Sequence, residues 1–133
     1  MLIGSLDDLE NEFLLGQELL IAGEIFDSVL EEAKELLNTE HKDPAAILGR
    51  VVLEDSLRRL ALQEQLDDSQ KATKLNDELK KAGRYNQVQW RQIQVWLDIG
   101  NNAAHGKFDQ YDKEQVKEQI EGIERFIASE FKV

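Results

Sequence analysis

The residues of this chain best suited to chemistry lie together near position 100, in the stretch Ile99-Gly100-Asn101-Asn102-Ala103-Ala104-His105-Gly106. Two carboxamides and an imidazole fall within about two helical turns. An imidazole transfers protons near neutral pH, and carboxamides donate and accept hydrogen bonds. Glycine accepts the left-handed backbone found just past a helix end. The pattern therefore predicts a helix terminus that presents polar side chains to a neighbouring group.

The stretch resembles the closing motif of HEPN domains (higher eukaryotes and prokaryotes nucleotide-binding domains). The likeness is to a small bacterial branch whose motif reads Arg-Asn-x-Ala-Ala-His-Gly, and it covers roughly residues 17–131. It aligns Asn101 with the polar position of that motif and His105 with its histidine. The resemblance implies a helical bundle and a role in prokaryotic defence or toxin–antitoxin-type systems, as an RNA-directed or protein-binding domain. Catalytic HEPN members cleave RNA.

Gly100 stands where that motif has its arginine. Metal-independent RNA cleavage needs a base, an acid and positive charge near the phosphate. His105 could transfer the protons, with Asn101 beside it, but a glycine cannot grip a phosphate as a guanidinium does. Arg91, the next arginine upstream, is fourteen residues away, or about 21 Å along a straight helix. The catalytic arginine would therefore have to come from another helix or subunit.

A second interpretation gives the motif a structural role. Asn101 and His105 would bond each other and the loop backbone, and so hold the helix end together. We expect Gly100→Arg to be tolerated if position 100 faces a cleft. If it does not, the glycine is there to admit a neighbouring helix.

The second helix, expected from Asp43-Pro44 to about Leu66, is apolar on two opposite faces. One face carries Ala46, Leu53, Leu57 and Leu60, and the other carries Ile47, Leu48, Val51, Val52, Leu62 and Leu66. A helix that is apolar nearly all round is buried on both sides. We therefore expect one face to meet the core and the other to form a homodimer interface.

The second apolar face of this helix also carries charged residues. Glu54–Arg58 and Asp55–Arg59 are each four residues apart, a spacing that allows ion pairs across one helical turn. They are either surface salt bridges or a charged cluster in a groove or dimer seam. Arg58, Arg59, Arg91 and Asn102 are thus the candidates for binding RNA or a partner protein.

Charge is unevenly distributed. The net charge is −11, and residues 1–40 hold eleven acidic side chains and one lysine. Residues 69–97 hold six basic and two acidic side chains, so the chain as a whole does not exclude an RNA contact. In this segment Trp90 lies near Arg84, Tyr85 and Arg91, an arrangement that could stack bases, although core packing also explains it. Trp96 is expected in the core.

Helical periodicity organises the remaining chain. We expect a first helix to about Asn38, interrupted if Gly16 or Gly23 breaks it, which would leave 1–16 as a separate short helix. A short helix ends before Gly83, Asn86 caps the motif helix, and an Asp112/Gln115 capping box opens the last helix. The last helix carries one apolar stripe, formed by Val116, Ile120, Ile123, Ile127 and Phe131. Residues 1–133 thus predict a single all-α domain, an antiparallel four-helix bundle with an extra short helix.

Several classes of function lack a signal. The chain has no cysteine, and its two histidines have no metal-ligand spacing, so we expect neither metal nor cofactor. No signal peptide is visible and no apolar run approaches the ~20 residues of a membrane span, so we expect a cytoplasmic protein without membrane contact.

We therefore expect a degenerate, non-catalytic HEPN-like binding module that acts as a homodimer on RNA or a partner protein. The alternatives are a metal-independent ribonuclease that uses His105 with an arginine from elsewhere, and a purely structural interaction domain whose acidic first helix meets a basic partner.

Overall fold

The computed structural model describes the backbone of residues 2–131 and the side chains of residues 16–131. This part of the chain is helical and contains no strand. The elements are α1 (Leu2–Asn38), α2 (Lys42–Gln63), α3 (Ala72–Lys81), α4 (Gln87–Ala104), a 3-10 turn (Phe108–Gln110) and α5 (Lys113–Phe131). Among the described residues, no helix is long and apolar enough to cross a membrane.

The predicted all-α bundle is confirmed, with α2 at its centre. α2 packs against each of the other four helices, because one complete face of it is apolar. The core face of α2 expected from the sequence, Ala46, Leu53, Leu57 and Leu60, is fully buried. The apolar stripe of α5 is buried along its whole length, from Val116 to Phe131.

Contacts at the helix ends fix the directions of the helices. The ammonium of Lys113, at the start of α5, lies 2.7 Å from the carboxylate of Glu40, just past the end of α1. At the other end of α5, Phe131 packs against Gly23 of α1. Arg84, just before α4, donates to Gln63 at the end of α2. α1 and α5 are therefore antiparallel, as are α2 and α4, and the end of α4 lies beside the start of α2.

Three close approaches lock α2, α4 and α5 together. The buried amide Nε2 of Gln119 donates to the carbonyl oxygens of Ala46 and Trp96, at 3.2 Å each. A Cβ added at Gly49 would lie 3.1 Å from the Gln119 amide. Trp96 is in the core, as predicted, and lies directly on Gly122, where a Cβ would come within 2.7 Å of its Cε2. Alanine-sized side chains at these glycines would push the helices apart.

Two boundaries differ from the sequence-based expectation. α1 is one continuous helix through Gly16 and Gly23, so residues 1–16 do not form a separate helix over the described positions. Gly23 packs against Phe131 of α5, which supports the helix there despite the low helix propensity of glycine. α2 begins at Lys42 rather than at a cap formed by Asp43, because the Asp43 carboxylate binds side chains instead.

Candidate functional site

The end of α4 is closed by backbone hydrogen bonds. Gly106 has φ +74°, its N–H donates to Ala103 O at 3.2 Å, and the N–H of Lys107 donates to Asn102 O at 2.8 Å. This pair of bonds is the Schellman pattern, and it needs a left-handed residue where Gly106 stands. His105 is the capping residue between the helix and that glycine. The chain turns here through its backbone, without help from the motif side chains.

The motif side chains are consequently available to a ligand. His105 is exposed, and Asn101 and Asn102 are half-buried. Within the described part of the chain, none of the three side chains makes a hydrogen bond, although the backbone N–H of His105 donates to Asn101 O at 3.0 Å. The interpretation in which Asn101 and His105 bond each other is therefore wrong. Polar side chains without partners at the end of a well-packed helix are suited to binding.

The space at Gly100 is filled by an arginine from α2. A Cβ added at Gly100 would lie 2.9 Å from Cγ and 3.1 Å from Cδ of Arg50, and closer still to its Cβ. Gly100 is buried, and the aliphatic stem of Arg50 lies across it. Position 100 is thus a close-packing site that admits a neighbouring helix, and the condition under which Gly100→Arg is expected to be tolerated is not met. The sequence-based reasoning did not identify Arg50.

The guanidinium of Arg50 is bound on one side only. Its Nε donates to Glu54 Oε1 at 3.1 Å, and the two side chains are 28% and 25% exposed. Among the described residues, its terminal nitrogens Nη1 and Nη2 donate to nothing. Glu54 thus pairs with Arg50 and not, as expected, with Arg58. Because α2 runs antiparallel to α4, Glu54 lies on the side of Arg50 that faces away from His105.

The arginines expected at the site lie elsewhere. The Nη1 of Arg58 donates to the carbonyls of Asp68 and Gln70, at 3.1 and 2.8 Å, and so ties down the α2–α3 loop. Arg59 forms the predicted ion pair with Asp55 at 3.1 Å, and its guanidinium lies 5.9 Å from the centre of the Phe26 ring.

Distance along the helices separates these arginines from the motif. Arg58 and Arg59 are about 12 Å or more along α2 from Arg50. Arg91 is exposed on the first half of α4, far from His105. The structure therefore brings Asn101, Asn102 and His105 together, but none of the three predicted arginines joins them.

The turn after the motif is tied to the start of α2. The Tyr111 hydroxyl donates to the Asp43 carboxylate, and Lys42 donates to Phe108 O at 2.7 Å. The Lys42 ammonium also lies 4.0 Å from the centre of the Tyr111 ring. Burial is the main cause that raises the pKa of the Tyr111 phenol, and the hydrogen bond to Asp43 raises that pKa further. Burial alone would raise the pKa of Asp43, but the hydrogen bonds from Tyr111 and Lys42 outweigh it and lower that pKa.

Trp90, Arg84 and Tyr85, around the start of α4, all bind other side chains of the bundle. Trp90 donates through Nε1 to Asp77 at 2.9 Å, and the Lys80 ammonium lies 4.8 Å from the centre of its ring. Arg84 binds Glu130 and Glu64, and the Tyr85 hydroxyl donates to Asn76 Oδ1. Trp90 thus packs on α3 rather than on the motif side. This segment holds α3 in place instead of presenting a base-stacking surface.

The described residues include no cluster of three or more His, Cys, Asp or Glu side chains placed to hold a metal ion.

Comparison of the chain with known protein families, curated proteins and solved structures gave no match. The likeness to HEPN domains therefore continues to rest on the motif and on the order of the helices. Chemically, the site offers one exposed imidazole, two free carboxamides, the exposed ammonium of Lys107 and one guanidinium that is already paired with a carboxylate.

Proposed function

We propose that this protein is a non-catalytic HEPN-like binding module that acts as a homodimer and recognises a partner protein. The observation that carries the proposal is the packing of Arg50 on Gly100. Position 100 has no room for the arginine of the HEPN motif, and the guanidinium that lies over it is paired with Glu54. Among the described residues, the motif end therefore keeps binding groups but has no unpaired guanidinium at the position of the motif arginine, and its free cation is the single exposed ammonium of Lys107.

Charge around the site also favours a protein over RNA. An RNA phosphate that reached the free Nη1 and Nη2 of Arg50 would lie beside the Glu54 carboxylate, whose charge offsets that of the guanidinium. Among the described residues near His105, the exposed Asp98 on α4 and Asp109 in the following turn outnumber the one exposed lysine, which is Lys107. Binding to nucleic acid depends on neutralising phosphates with several cations. Carboxamides and an imidazole serve equally well as hydrogen-bonding groups for a polypeptide.

The homodimer is supported by the outer face of α2. Of the six apolar residues expected on this face, Val51 and Leu62 are 53% and 59% exposed. Val52 is instead buried in the core. The other three are partly buried against the core: Ile47, Leu48 and Leu66. Apolar side chains that remain exposed on a central helix are suited to an interface between copies. This face begins beside Arg50, so a second copy seated on it would come close to the motif end.

Sedimentation equilibrium at micromolar concentration tests the dimer. We expect the natural protein to have about twice the 15.3 kDa chain mass. Val51→Glu should shift the mass towards the monomer, because it would place like charges in a two-fold interface. Val88→Glu is the matched control, since Val88 is similarly exposed at 61% but lies on α4. A natural protein that sediments only as a monomer, or a Val51→Glu variant that stays dimeric, would overturn the homodimer.

A ribonuclease is the second candidate, and one observation favours it. Arg50 lies over the position of the missing motif arginine, and its Nη1 and Nη2 make no hydrogen bond within the described residues. If Arg50 turned from Glu54 towards the end of α4, it could stabilise charge on a phosphate. This candidate requires metal-independent RNA cleavage that is lost in both Arg50→Ala and His105→Ala.

A further inference from the structure

The outer edge of α1 carries two exposed isoleucines one helical turn apart. Ile21 and Ile25 are 56% and 57% exposed, and Leu20 beside them is 43% exposed. All three lie in the part of α1 whose other face packs on α5 through Gly23 and Phe26. The exposed isoleucines are therefore presented by a rigid helix.

α2 extends this apolar strip. Arg59 of α2 lies over the ring of Phe26, so this turn of α2 packs on the turn of α1 that carries Ile25. Leu62, three residues further along α2, is 59% exposed. Because Arg59 is already paired with Asp55, it contributes little free positive charge to the strip. The surface is a shallow apolar strip shared by two helices, Ile21 and Ile25 on α1 and Leu62 on α2.

Free carboxylates surround the strip. Glu18, Glu24 and Glu32 are exposed, and within the described residues none of them forms an ion pair. Residues 16–40 hold seven acidic side chains and a single lysine. That lysine, Lys34, is bound to Glu31 and Glu124. The α1 side of the strip therefore carries unpaired negative charge.

We propose that this strip of α1 and α2 binds a basic amphipathic helix of a partner protein. Apolar side chains one turn apart on the partner would cover Ile21, Ile25 and Leu62, and flanking lysines or arginines would meet Glu18, Glu24 and Glu32. An apolar stripe laid in a groove between two helices is an established mode of peptide recognition. Charge complementarity selects the occupant, since opposite potentials steer association and like charges oppose it.

The same charge argues against a second copy of this chain as the occupant. Two copies meeting through this strip would bring their unpaired glutamates together, and like charges facing each other at an interface cost affinity. Leu62 of the strip lies on the same outer face of α2 as Val51, about three turns further along, but the strip is separate from the motif end of α4. A negative result for the strip would therefore leave the function proposed for His105 and its neighbours unaffected.

Binding of synthetic peptides tests the proposal. The probe is a fluorescent peptide of about 18 lysines and leucines with leucine at the i, i+3, i+4 and i+7 spacing of an amphipathic helix. The comparison peptide has the same composition in scrambled order, which keeps the charge but removes the apolar stripe. We expect the patterned peptide to bind at least about tenfold more tightly, and more weakly as salt is raised.

Variants locate the binding surface. The double variant Ile21→Gln and Ile25→Gln should weaken binding of the patterned peptide about tenfold or more. Val88→Gln with Val95→Gln is the matched control, because both valines are exposed on α4 at 61% and 53%. Circular dichroism should show the same helicity in all three proteins, since each change is at an exposed site.

Three results would overturn the proposal. The first is the absence of binding by the patterned peptide, and the second is equal binding of the scrambled peptide. The third is a natural dimer that the isoleucine double variant converts to monomer, which would identify a second copy as the occupant of the strip.

Discussion

At the scale of single residues, the exposed imidazole of His105 is separated from the interactions that hold its helix end. Those interactions are backbone hydrogen bonds of Gly106 and Lys107. We therefore expect His105→Ala to change the free energy of unfolding by no more than about 0.5 kcal/mol, as is usual for exposed sites. Urea unfolding followed by circular dichroism measures this change. A loss of about 1–3 kcal/mol would instead mean that the imidazole has a buried partner.

Gly100 and Gly16 should respond in opposite ways to alanine. Alanine is favoured over glycine inside a helix by about 1 kcal/mol. At Gly100 the new Cβ would collide with Arg50, and overpacking of this kind costs about 1–3 kcal/mol. At Gly16 nothing lies within 4 Å of an added Cβ.

We therefore expect Gly100→Ala to lower the free energy of unfolding and Gly16→Ala to raise it, as measured by urea unfolding of both variants. If both substitutions stabilise the protein equally, the packing of Arg50 on Gly100 is contradicted.

The motif was predictable from sequence, but its arginine neighbour was not. Asn101, Asn102 and His105 are close in sequence, so one helix brings them together. Arg50 reaches Gly100 only because α2 and α4 are antiparallel with one particular offset. The spacing rule also allowed Glu54 to pair with either Arg50 or Arg58. Loop carbonyls of Asp68 and Gln70 bind Arg58 and so leave Glu54 to Arg50.

At the scale of elements, helix starts determined by local bonds were predicted correctly. Asn86 accepts from the Gln89 N–H at 2.9 Å. Asp112 and Gln115 form the reciprocal capping box, at 2.8 and 2.9 Å. The start of α2 lies one residue before the expected Asp43-Pro44, and the Asp43 carboxylate binds Tyr111, 68 residues away, instead of capping the helix. Short-range pattern therefore locates most elements, and long-range contacts adjust their ends.

The bond between Tyr111 and Asp43 should give a stability effect that depends on pH. The pKa of Asp43 is lowered in the folded protein, so its contribution is present above its unfolded pKa of about 3.9 and is lost as the pH falls through the folded value. We expect Tyr111→Phe to lower the free energy of unfolding by about 1 kcal/mol at neutral pH, and by less in acid below about pH 4.

Urea unfolding at neutral pH and below about pH 4 measures how much Tyr111→Phe lowers the free energy of unfolding at each pH. Gln110→Ala, a change at an exposed neighbour in the same turn, is the control. An equal effect of Tyr111→Phe at both pH values would mean that the hydroxyl does not act through the Asp43 carboxylate.

At the scale of the whole molecule, net charge says little about the motif end. The charge of −11 is concentrated in residues 1–40, whereas the remaining 93 residues hold 16 acidic and 15 basic side chains. Over the described part of α1, this charge surrounds the strip of α1 and α2. Beside the motif, the exposed ammonium of Lys107 forms no ion pair among the described residues, whereas the guanidinium of Arg50 is paired with Glu54.

Cleavage of a labelled single-stranded RNA in the presence of EDTA is the most direct test of the non-catalytic assignment. The natural protein is compared with His105→Ala and with Arg50→Ala, at equal concentration and with helicity checked by circular dichroism. We expect no cleavage by the natural protein above the level of His105→Ala, because Gly100 has no room for an arginine and Arg50 is bound to Glu54. Cleavage by the natural protein that is lost in both variants would contradict this and identify Arg50 and His105 as catalytic partners.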